Sequence, residues 1–178
     1  DRRELINFCF HLEQAHRAGL PILDALRDLR DSTGDDAFRN VLRTDVALVN
    51  NGGVRADVAA GRLTYGQLFT VMPFQTQAVT VTVTGKQLRE VAEASITAGG
   101  PDAHVSGMRI TYDLSRPAGQ RVREIRLANG KKPKDTGRYT LAVNSFLAAG
   151  QSGYTMLRTA PQVPDGMSDI EVMELYLR

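Results

Sequence analysis

An alternation of valine and threonine at residues 79–84 constrains the fold of this chain more than any other feature of the sequence. Val79, Val81 and Val83 fall on one side of an extended chain, which predicts a strand with one face in the core. The strand runs directly into Thr84-Gly85-Lys86-Gln87, a capping-box pattern with threonine at the cap and glutamine three residues later. A strand that leads straight into a helix indicates a fold that mixes both kinds of element.

Neighbouring segments extend this mixed pattern. A short apolar run at 46–49 predicts a strand buried on both faces. Leu88, Val91, Ala92 and Ile96 predict one amphipathic helix after the capping box. Residues 108–112 alternate between apolar and polar side chains, which predicts another strand.

The second half of the chain carries further strand and turn signals. Two strands are predicted at 121–127 and 138–143, with the hairpin signal Asn129-Gly130 between them. Pro133 and Gly137 imply a connection longer than a two-residue turn. A second capping box, Ser168-Asp169-Ile170-Glu171, predicts a short terminal helix. Strands, helices and hairpins together favour an α+β fold over a doubly wound parallel sheet.

The first 44 residues differ from the rest in charge and in pattern. Residues 1–44 contain seven basic and eight acidic side chains, and all the lysines lie later in the chain. Apolar steps of three and four predict a helix over 4–17, and Ala18-Gly19-Leu20-Pro21 ends it before a second helix. We therefore predict a helical hairpin over 1–44 and a separate domain over 45–178.

Composition excludes several classes of protein. The net charge of +2 is too small to indicate a nucleic-acid partner. The single cysteine, Cys9, excludes an internal disulfide framework and a cysteine-based zinc site. No apolar run has the length of a membrane-spanning helix, and the first residues lack the apolar core of a signal peptide. A basic cluster is interrupted by acidic residues and is interpreted as a solvated hairpin: Arg121, Arg123, Arg126, Lys131, Lys132, Lys134 and Arg138.

One arginine stands at a turn that could serve a ligand. Asn50-Asn51-Gly52-Gly53-Val54-Arg55 follows the predicted strand at 46–49 directly. Glycines allow the backbone to approach a ligand closely, and arginine offers a planar fork to phosphate or carboxylate. The alternative is a glycine turn whose Arg55 is a solvated surface charge, and the string alone leaves both interpretations open.

Two phenylalanines stand beside proline or glycine loops. Phe74 follows Pro73, and Phe146 precedes the loop that reaches Gly150. An aromatic ring in such a place can present a flat face to a base. The alternative is that both rings are ordinary members of the core.

The hairpin over 1–44 resembles the start of a known helical domain. Phe8-Cys9-Phe10-His11-Leu12 and the later Ala18-Gly19-Leu20-Pro21 turn are similar to the cytoplasmic domain of type II secretion and type IV pilus platform proteins. The resemblance covers about residues 4–43 and rests mainly on apolar spacing. His11 and His16 do not share a helix face, so no zinc site is predicted there.

The larger unit, about 45–178, resembles the C-terminal domain of 5'-nucleotidases. The ordered motifs that carry the resemblance are Asn50-Asn51-Gly52-Gly53-Val54-Arg55, Leu63-Thr64-Tyr65-Gly66-Gln67-Leu68-Phe69, Met72-Pro73-Phe74, Thr84-Gly85-Lys86-Gln87-Leu88 and Asn144-Ser145-Phe146-Leu147. The resemblance implies a four-layer α/β/β/α domain that binds the nucleoside part of a substrate. It also implies a periplasmic or extracellular protein in which a separate metallophosphatase domain supplies two metals and the reaction.

The resemblance assigns a role to several residues. Asn50 and Arg55 match positions that reach toward the substrate phosphate, on the turn formed by Gly52 and Gly53. Phe74 and Phe146 match the two aromatics that sandwich the base. These residues are therefore predicted to form a substrate-binding site.

The sequence departs from the family pattern at two further positions. Ser152 stands where the family has an aspartate that holds the ribose hydroxyls, so a neutral hydroxyl replaces a charged acceptor. Gln75 stands where the family commonly has glycine. The family's helix that supplies another arginine is not recognisable in residues 1–43.

The sequence predicts recognition rather than catalysis. A di-metal centre needs several histidine, aspartate and asparagine ligands, and the chain has three histidines and no Gly-Asn-His-Asp/Glu string. We therefore expect no metal or cofactor in this chain, no catalytic residue, and a nucleotide or nucleoside as the ligand, with a metallophosphatase domain as the partner. The alternative function is a non-catalytic interaction module, in which a decayed nucleotidase domain is fused to the helical hairpin.

Overall fold

Strands and helices are mixed along the part of the chain that the computed structural model describes, residues 44–57 and 62–177. The strands are β1 Val46–Asn50, β2 Gln77–Thr84, β3 Ile96–Thr97, β4 Gly100–Pro101, β5 Ala103–Ser106, β6 Met108–Tyr112, β7 Val122–Leu127, β8 Arg138–Asn144 and β9 Gln162–Ser168. The helices are α1 Tyr65–Val71, α2 Gly85–Ala94, α3 Ser145–Ala148 and α4 Asp169–Leu177. The predicted α+β class is confirmed. The helical hairpin predicted over 1–44 lies outside the described residues, except for Thr44 at its end.

Five strands form the main sheet, in the order β5-β1-β8-β2-β9. β1 and β8 are parallel, whereas the other neighbours are antiparallel. A side-chain clasp fixes the parallel pair at its start, because Thr140 donates from its backbone N–H to the Asp45 carboxylate at 2.8 Å and the Asp45 N–H donates to the Thr140 hydroxyl at 2.9 Å. The pairing therefore has a single register.

The transition from β2 to α2 follows the sequence prediction closely. The side chains of Val79, Val81 and Val83 are buried, and the threonines between them are half-buried. Thr84 caps α2 by accepting from the Gln87 N–H at 3.2 Å, while the Gln87 side chain accepts from the Thr84 N–H at 2.9 Å. Both halves of the capping box are thus formed.

Helix α2 is shorter than the apolar spacing predicts. It ends at Ala94, and the hydroxyl of Ser95 closes its last turn by donating to the Ala92 carbonyl at 2.7 Å. Ile96 is not a helical residue, because it begins β3 and pairs with Pro101 of β4. The prediction of one helix from Leu88 to Ile96 is therefore wrong at its end, where a buried strand residue continues the helical spacing by chance.

Two strand predictions also need correction. β1 alternates between buried and half-buried side chains, so the run at 46–49 is not buried on both faces. The strand predicted at 121–127 does not pair with the one at 138–143. Instead, β7 pairs antiparallel with β6 as a separate ribbon, while β8 enters the middle of the main sheet. The Asn129-Gly130 turn exists, with Gly130 at φ 77°, but it leads from one sheet to the other.

The core lies between the valine face of β2 and the elements that cover it. Buried side chains of β1, β8 and α2 join those of the β6–β7 ribbon in one cluster. Glu93 of α2 anchors the ribbon, because its carboxylate accepts from the backbone N–H groups of Arg121 and Val122, each at 2.9 Å. Within the described ranges, no helix is long and apolar enough to cross a membrane. The four-layer arrangement implied by the resemblance stays a prediction.

Charge pairs neutralise part of the basic cluster on the ribbon. The Glu124 carboxylate contacts the Lys132 ammonium at 2.8 Å and the Arg126 guanidinium at 2.9 Å. The hydrogen bonds from Lys132 and then from Arg126 hold the pKa of Glu124 below its usual range. These lysine and arginine side chains are exposed, as expected of a solvated segment.

Tyr154 makes the stability of the fold sensitive to alkaline pH. Its side chain is buried against the core, and desolvation, with a smaller contribution from Asp102, raises the pKa of Tyr154 from 10.0 to about 12. Because the unfolded chain ionises first, this residue lowers the free energy of unfolding as the pH rises from 10 to about 12. Urea titrations across this range should show a steeper loss for the native chain than for Tyr154→Phe. Parallel pH profiles for the two proteins would contradict this prediction.

Candidate functional site

The predicted site residues gather at one edge of the main sheet. β1 and β8 are parallel and both end there, and the antiparallel β2 begins there, with Ala78 opposite Asn144. Asn50 is the last residue of β1, Phe74 precedes β2, and Phe146 follows β8. Three separate stretches of sequence therefore deliver these side chains to the same end of three adjacent strands.

The glycine turn after β1 is packed closely against Asn50. Residues Asn51–Gly53 form a 3-10 turn, held by the Asn51 N–H, which donates to the Asp102 carbonyl at 3.0 Å. A Cβ on Gly52 would lie 3.2 Å from the Asn50 amide nitrogen, and one on Gly53 would lie 3.3 Å from its amide oxygen. Both glycines thus leave room for a buried amide side chain.

Asn50 belongs to a chain of hydrogen bonds that begins at α3. The Leu147 N–H donates to the side-chain oxygen of Asn144 at 2.9 Å. The side-chain nitrogen of Asn144 donates in turn to the side-chain oxygen of Asn50 at 3.2 Å. Asn144 is therefore both the cap of α3 and the support of Asn50.

Arg55 leaves the turn toward Phe74. Its backbone N–H donates to the Val71 carbonyl at 2.8 Å, which holds this segment against the end of α1. Its guanidinium carbon lies 5.9 Å from the centre of the Phe74 ring, within the range of a cation–π contact. The side chain is exposed. Arg55 is thus neither buried nor isolated, since it stands over one of the predicted stacking rings.

Both predicted stacking rings are exposed rather than core residues. Phe74 is 56% exposed and Phe146 is 44% exposed. Near them, the Gln77 N–H donates to the Ser145 hydroxyl at 3.2 Å. This bond links the segment after Phe74 to the residue before Phe146. The structure therefore removes the alternative in which both rings lie inside the core.

The loop after α3 carries Ser152 in a strained conformation. Ser152 has φ 52°, inside the 3-10 turn Gln151–Gly153, and its side chain is exposed. Gly150 precedes it at φ 83°, where a Cβ would lie 3.3 Å from the Arg158 side chain. Gln75 has φ 49°, directly after Phe74. Among the described residues, Gln75 and Ser152 are the non-glycine residues with positive φ; Gln75 follows Phe74, and Ser152 is itself a predicted site position.

Sequence reasoning missed two side chains of this site. Asn144 was visible as a polar residue at a strand-to-helix junction, which is an N-cap signal, but its bond to Asn50 could not be read from the string. Asn51 donates from its side chain to the Pro101 carbonyl at 3.3 Å and so joins the turn to the β3–β4 hairpin. That hydrogen bond depends on the order of the strands in the sheet, and no local sequence pattern predicts it.

Metal-binding side chains do not cluster in the described part of the chain. No group of three or more histidine, cysteine, aspartate or glutamate residues stands close enough there to hold an ion. His104 is exposed on β5. The chemistry that the described edge offers is stacking, cationic attraction and hydrogen bonding.

The fold is that of a known domain family. The family model described as "5'-nucleotidase, C-terminal domain" matches residues 32–159. The chain therefore belongs to the 5'-nucleotidase C-terminal domain family. This confirms the resemblance found in the sequence.

Individual relatives show the same relationship. The chain is 36% identical over 146 residues to an endonuclease of Bacillus subtilis, YhcR, and 33% identical over 141 residues to a 5'-nucleotidase of Vibrio parahaemolyticus. These alignments cover 80% and 76% of this chain, but only 12% and 24% of the relatives. The crystal structure of a 5'-nucleotidase precursor from Thermus thermophilus superposes with a TM-score of 0.72 at 34% identity, covering 78% of this chain and 29% of that one. The chain thus spans less than a third of these proteins.

Proposed function

We propose that this chain is the nucleotide-recognising part of a 5'-nucleotidase-type hydrolase. The ligand is a nucleotide or nucleoside whose base lies between Phe74 and Phe146. Asn50 and Arg55 face its phosphate, and Ser152 lies beside its ribose. Gly52 and Gly53 allow the backbone of the turn to approach the ligand closely.

The observation that carries this proposal is the contact of an exposed arginine with an exposed aromatic ring at the strand edge. An exposed phenylalanine gains little from the fold, whereas stacking on a base is worth roughly 1–3 kcal/mol. A guanidinium at 5.9 Å from that ring can reach an anionic group attached to the stacked base. Stacking face and cationic fork together match the two halves of a nucleotide.

We further propose that another domain supplies the metals and the reaction. The described residues offer no cluster of metal ligands, and the sequence lacks the histidine-rich motifs that such a centre needs. The proposed partner is a metallophosphatase domain, and the proposed location is the periplasm or the cell exterior. The alternative of a non-catalytic interaction module is favoured by Gln151 and Ser152, which depart from the family pattern, whereas the hairpin that it needs lies outside the described residues.

Replacing Arg55 distinguishes binding of the phosphate from binding of the nucleoside. We expect Arg55→Met to weaken AMP binding by roughly 1.5–3 kcal/mol, the worth of a hydrogen bond to a charged group, and to leave adenosine binding almost unchanged. Calorimetric titrations with both ligands measure the difference. Arg89→Met is the matched control, because Arg89 is an exposed arginine on α2 and should change neither affinity.

Two results would refute this assignment. Equal losses for AMP and adenosine would show that Arg55 does not contact the phosphate. Failure of the native chain to bind either ligand at millimolar concentration would remove the recognition function itself.

A further inference from the structure

A chain of hydrogen bonds sets the orientation of two buried amides at the strand edge. Its first member is a backbone N–H group, that of Leu147, which can only donate. The Asn144 atom that receives this bond at 2.9 Å must therefore be its oxygen. Leu147 is buried in the core, so α3 holds this donor in place.

The orientation of Asn144 then determines that of Asn50. With its oxygen bound to Leu147, Asn144 has only its NH2 group to offer Asn50. The Asn50 atom that receives this bond at 3.2 Å must be the side-chain oxygen. A backbone group on α3 thus fixes the amide of a residue in another strand.

The far end of this chain is a hydrogen-bond donor without a partner. Asn50 is only 9% exposed, yet no acceptor among the described residues receives a bond from its side-chain NH2 group. No side-chain nitrogen or oxygen of the described residues is both fully buried and unpartnered, so this NH2 group reaches solvent. It lies on the side of Gly52, where an added Cβ would meet it at 3.2 Å.

We propose that Asn144 is a positioning residue that holds Asn50 with its NH2 group outward, so that the place beside Gly52 takes hydrogen-bond acceptors and rejects donors. A phosphate oxygen is such an acceptor. That identity of the ligand group rests on the proposed function, whereas the orientation of the two amides does not. Selection for acceptors then originates at Asn144, the cap of α3, whose own side chain need not touch the ligand.

Asn144→Asp tests the orientation directly. Aspartate caps a helix as well as asparagine does, but its two oxygens accept from both Leu147 and Asn50. Asn50 must then turn its amide over, donate to the new carboxylate and present its oxygen outward. Asn144→Ser is the matched control, because serine retains a capping oxygen and cannot reverse the amide in this way.

The readout is hydrogen exchange of the side-chain amide protons in the ligand-free, isotopically labelled protein. In the native chain the Asn50 NH2 protons should exchange roughly tenfold faster than those of Asn144, which are hydrogen-bonded. In Asn144→Asp the Asn50 protons should become protected by a similar factor, and in Asn144→Ser they should stay fast. Slow exchange of Asn50 in the native chain, or no protection in the aspartate variant, would overturn the proposal.

Binding supplies a second readout that distinguishes the two proposals. Asn144→Asp should weaken AMP by roughly tenfold or more relative to adenosine, whereas Asn144→Ser should keep the ratio of the two affinities closer to native. If neither ligand binds the native chain, the recognition function fails, while the exchange rates still decide the orientation of Asn50. If AMP binds with an unchanged ratio in the aspartate variant, the acceptor selectivity is wrong.

Discussion

Replacing Phe74 or Phe146 by alanine is expected to weaken adenosine binding by roughly 1–3 kcal/mol for each ring removed. Each phenylalanine covers one face of the base in the proposed site, so the double variant should lose close to the sum and leave binding too weak to saturate. Both rings are largely exposed, so the thermal stability of the variants should stay near that of the native chain. Calorimetry with adenosine, together with thermal melts, measures both quantities.

Phe69→Ala is the matched control for this experiment. Phe69 is a partly exposed phenylalanine on α1, 36% exposed, and it has no place in the proposed site. Its replacement should leave adenosine affinity unchanged. Unchanged affinity after Phe74→Ala would remove that ring from the site, and a loss only in proportion to unfolding would assign it to the fold.

Gly85→Ala is expected to destabilise the domain by about 3 kcal/mol, near the upper end of what overpacking costs. Gly85 opens α2, and a Cβ there would overlap the Lys134 carbonyl oxygen and lie 2.7 Å from the carbonyl carbon. These are backbone atoms, and that loop is bound to the helix because the Gly85 N–H donates to the Gly137 carbonyl at 3.0 Å. Denaturant titration should show a lower midpoint with an unchanged slope.

Gly66→Ala provides the comparison at α1, a second helix that begins with a capping box. Gly66 lies in the first turn of α1, where an added Cβ would be 4.0 Å from the Thr64 hydroxyl and would meet nothing else closely. Alanine should therefore stabilise the chain by roughly 0.5–1 kcal/mol, because glycine is the poorer helix former. A similar effect of both substitutions would show that the loop at 134–137 moves aside without cost.

Local signals predicted the elements that are built from neighbouring residues. The valine–threonine alternation and the capping boxes at Thr84 and Ser168 are confirmed, since each depends on residues within a few positions of one another. Helix α1 was not assigned, although Thr64 and Gln67 form the same capping box, with the Gln67 N–H donating to the Thr64 hydroxyl at 3.3 Å. The signal for α1 is therefore as local as the one for α2.

Other elements had no local signal to read. β9 contains Pro164 and Gly166, which argue against a strand, but it is the edge strand beside β2, where proline is tolerated. The hairpin signal at Asn129-Gly130 predicts the turn correctly, but it does not show that β8 belongs to a different sheet from β7. Strand partners are chosen by packing across the whole domain, which no short window of sequence contains.

The candidate site shows the same difference between local signals and contacts of residues distant in sequence. Local patterns single out Arg55, Phe74 and Phe146 and leave an alternative open for each, whereas the resemblance assigns their roles. The structure brings their segments to one edge of the sheet. Their roles toward a ligand stay predictions. The bond from Asn144 to Asn50 was beyond the sequence, because it joins residues 94 positions apart through the parallel pairing of β1 and β8.

The central position of β8 delays the formation of the main sheet during synthesis of the chain. β1 and β2 both pair with β8 and not with each other, so neither can complete the sheet while the ribosome is still making the residues between them and β8. At roughly 5–20 residues per second, the interval between the appearance of β1 and that of β8 is roughly 5–20 seconds. During this time β1, and β2 once it has been made, lack the strand that pairs with both of them, and their apolar faces are uncovered. The nascent chain is therefore an expected client of chaperones that shield apolar strands until residue 144 has emerged.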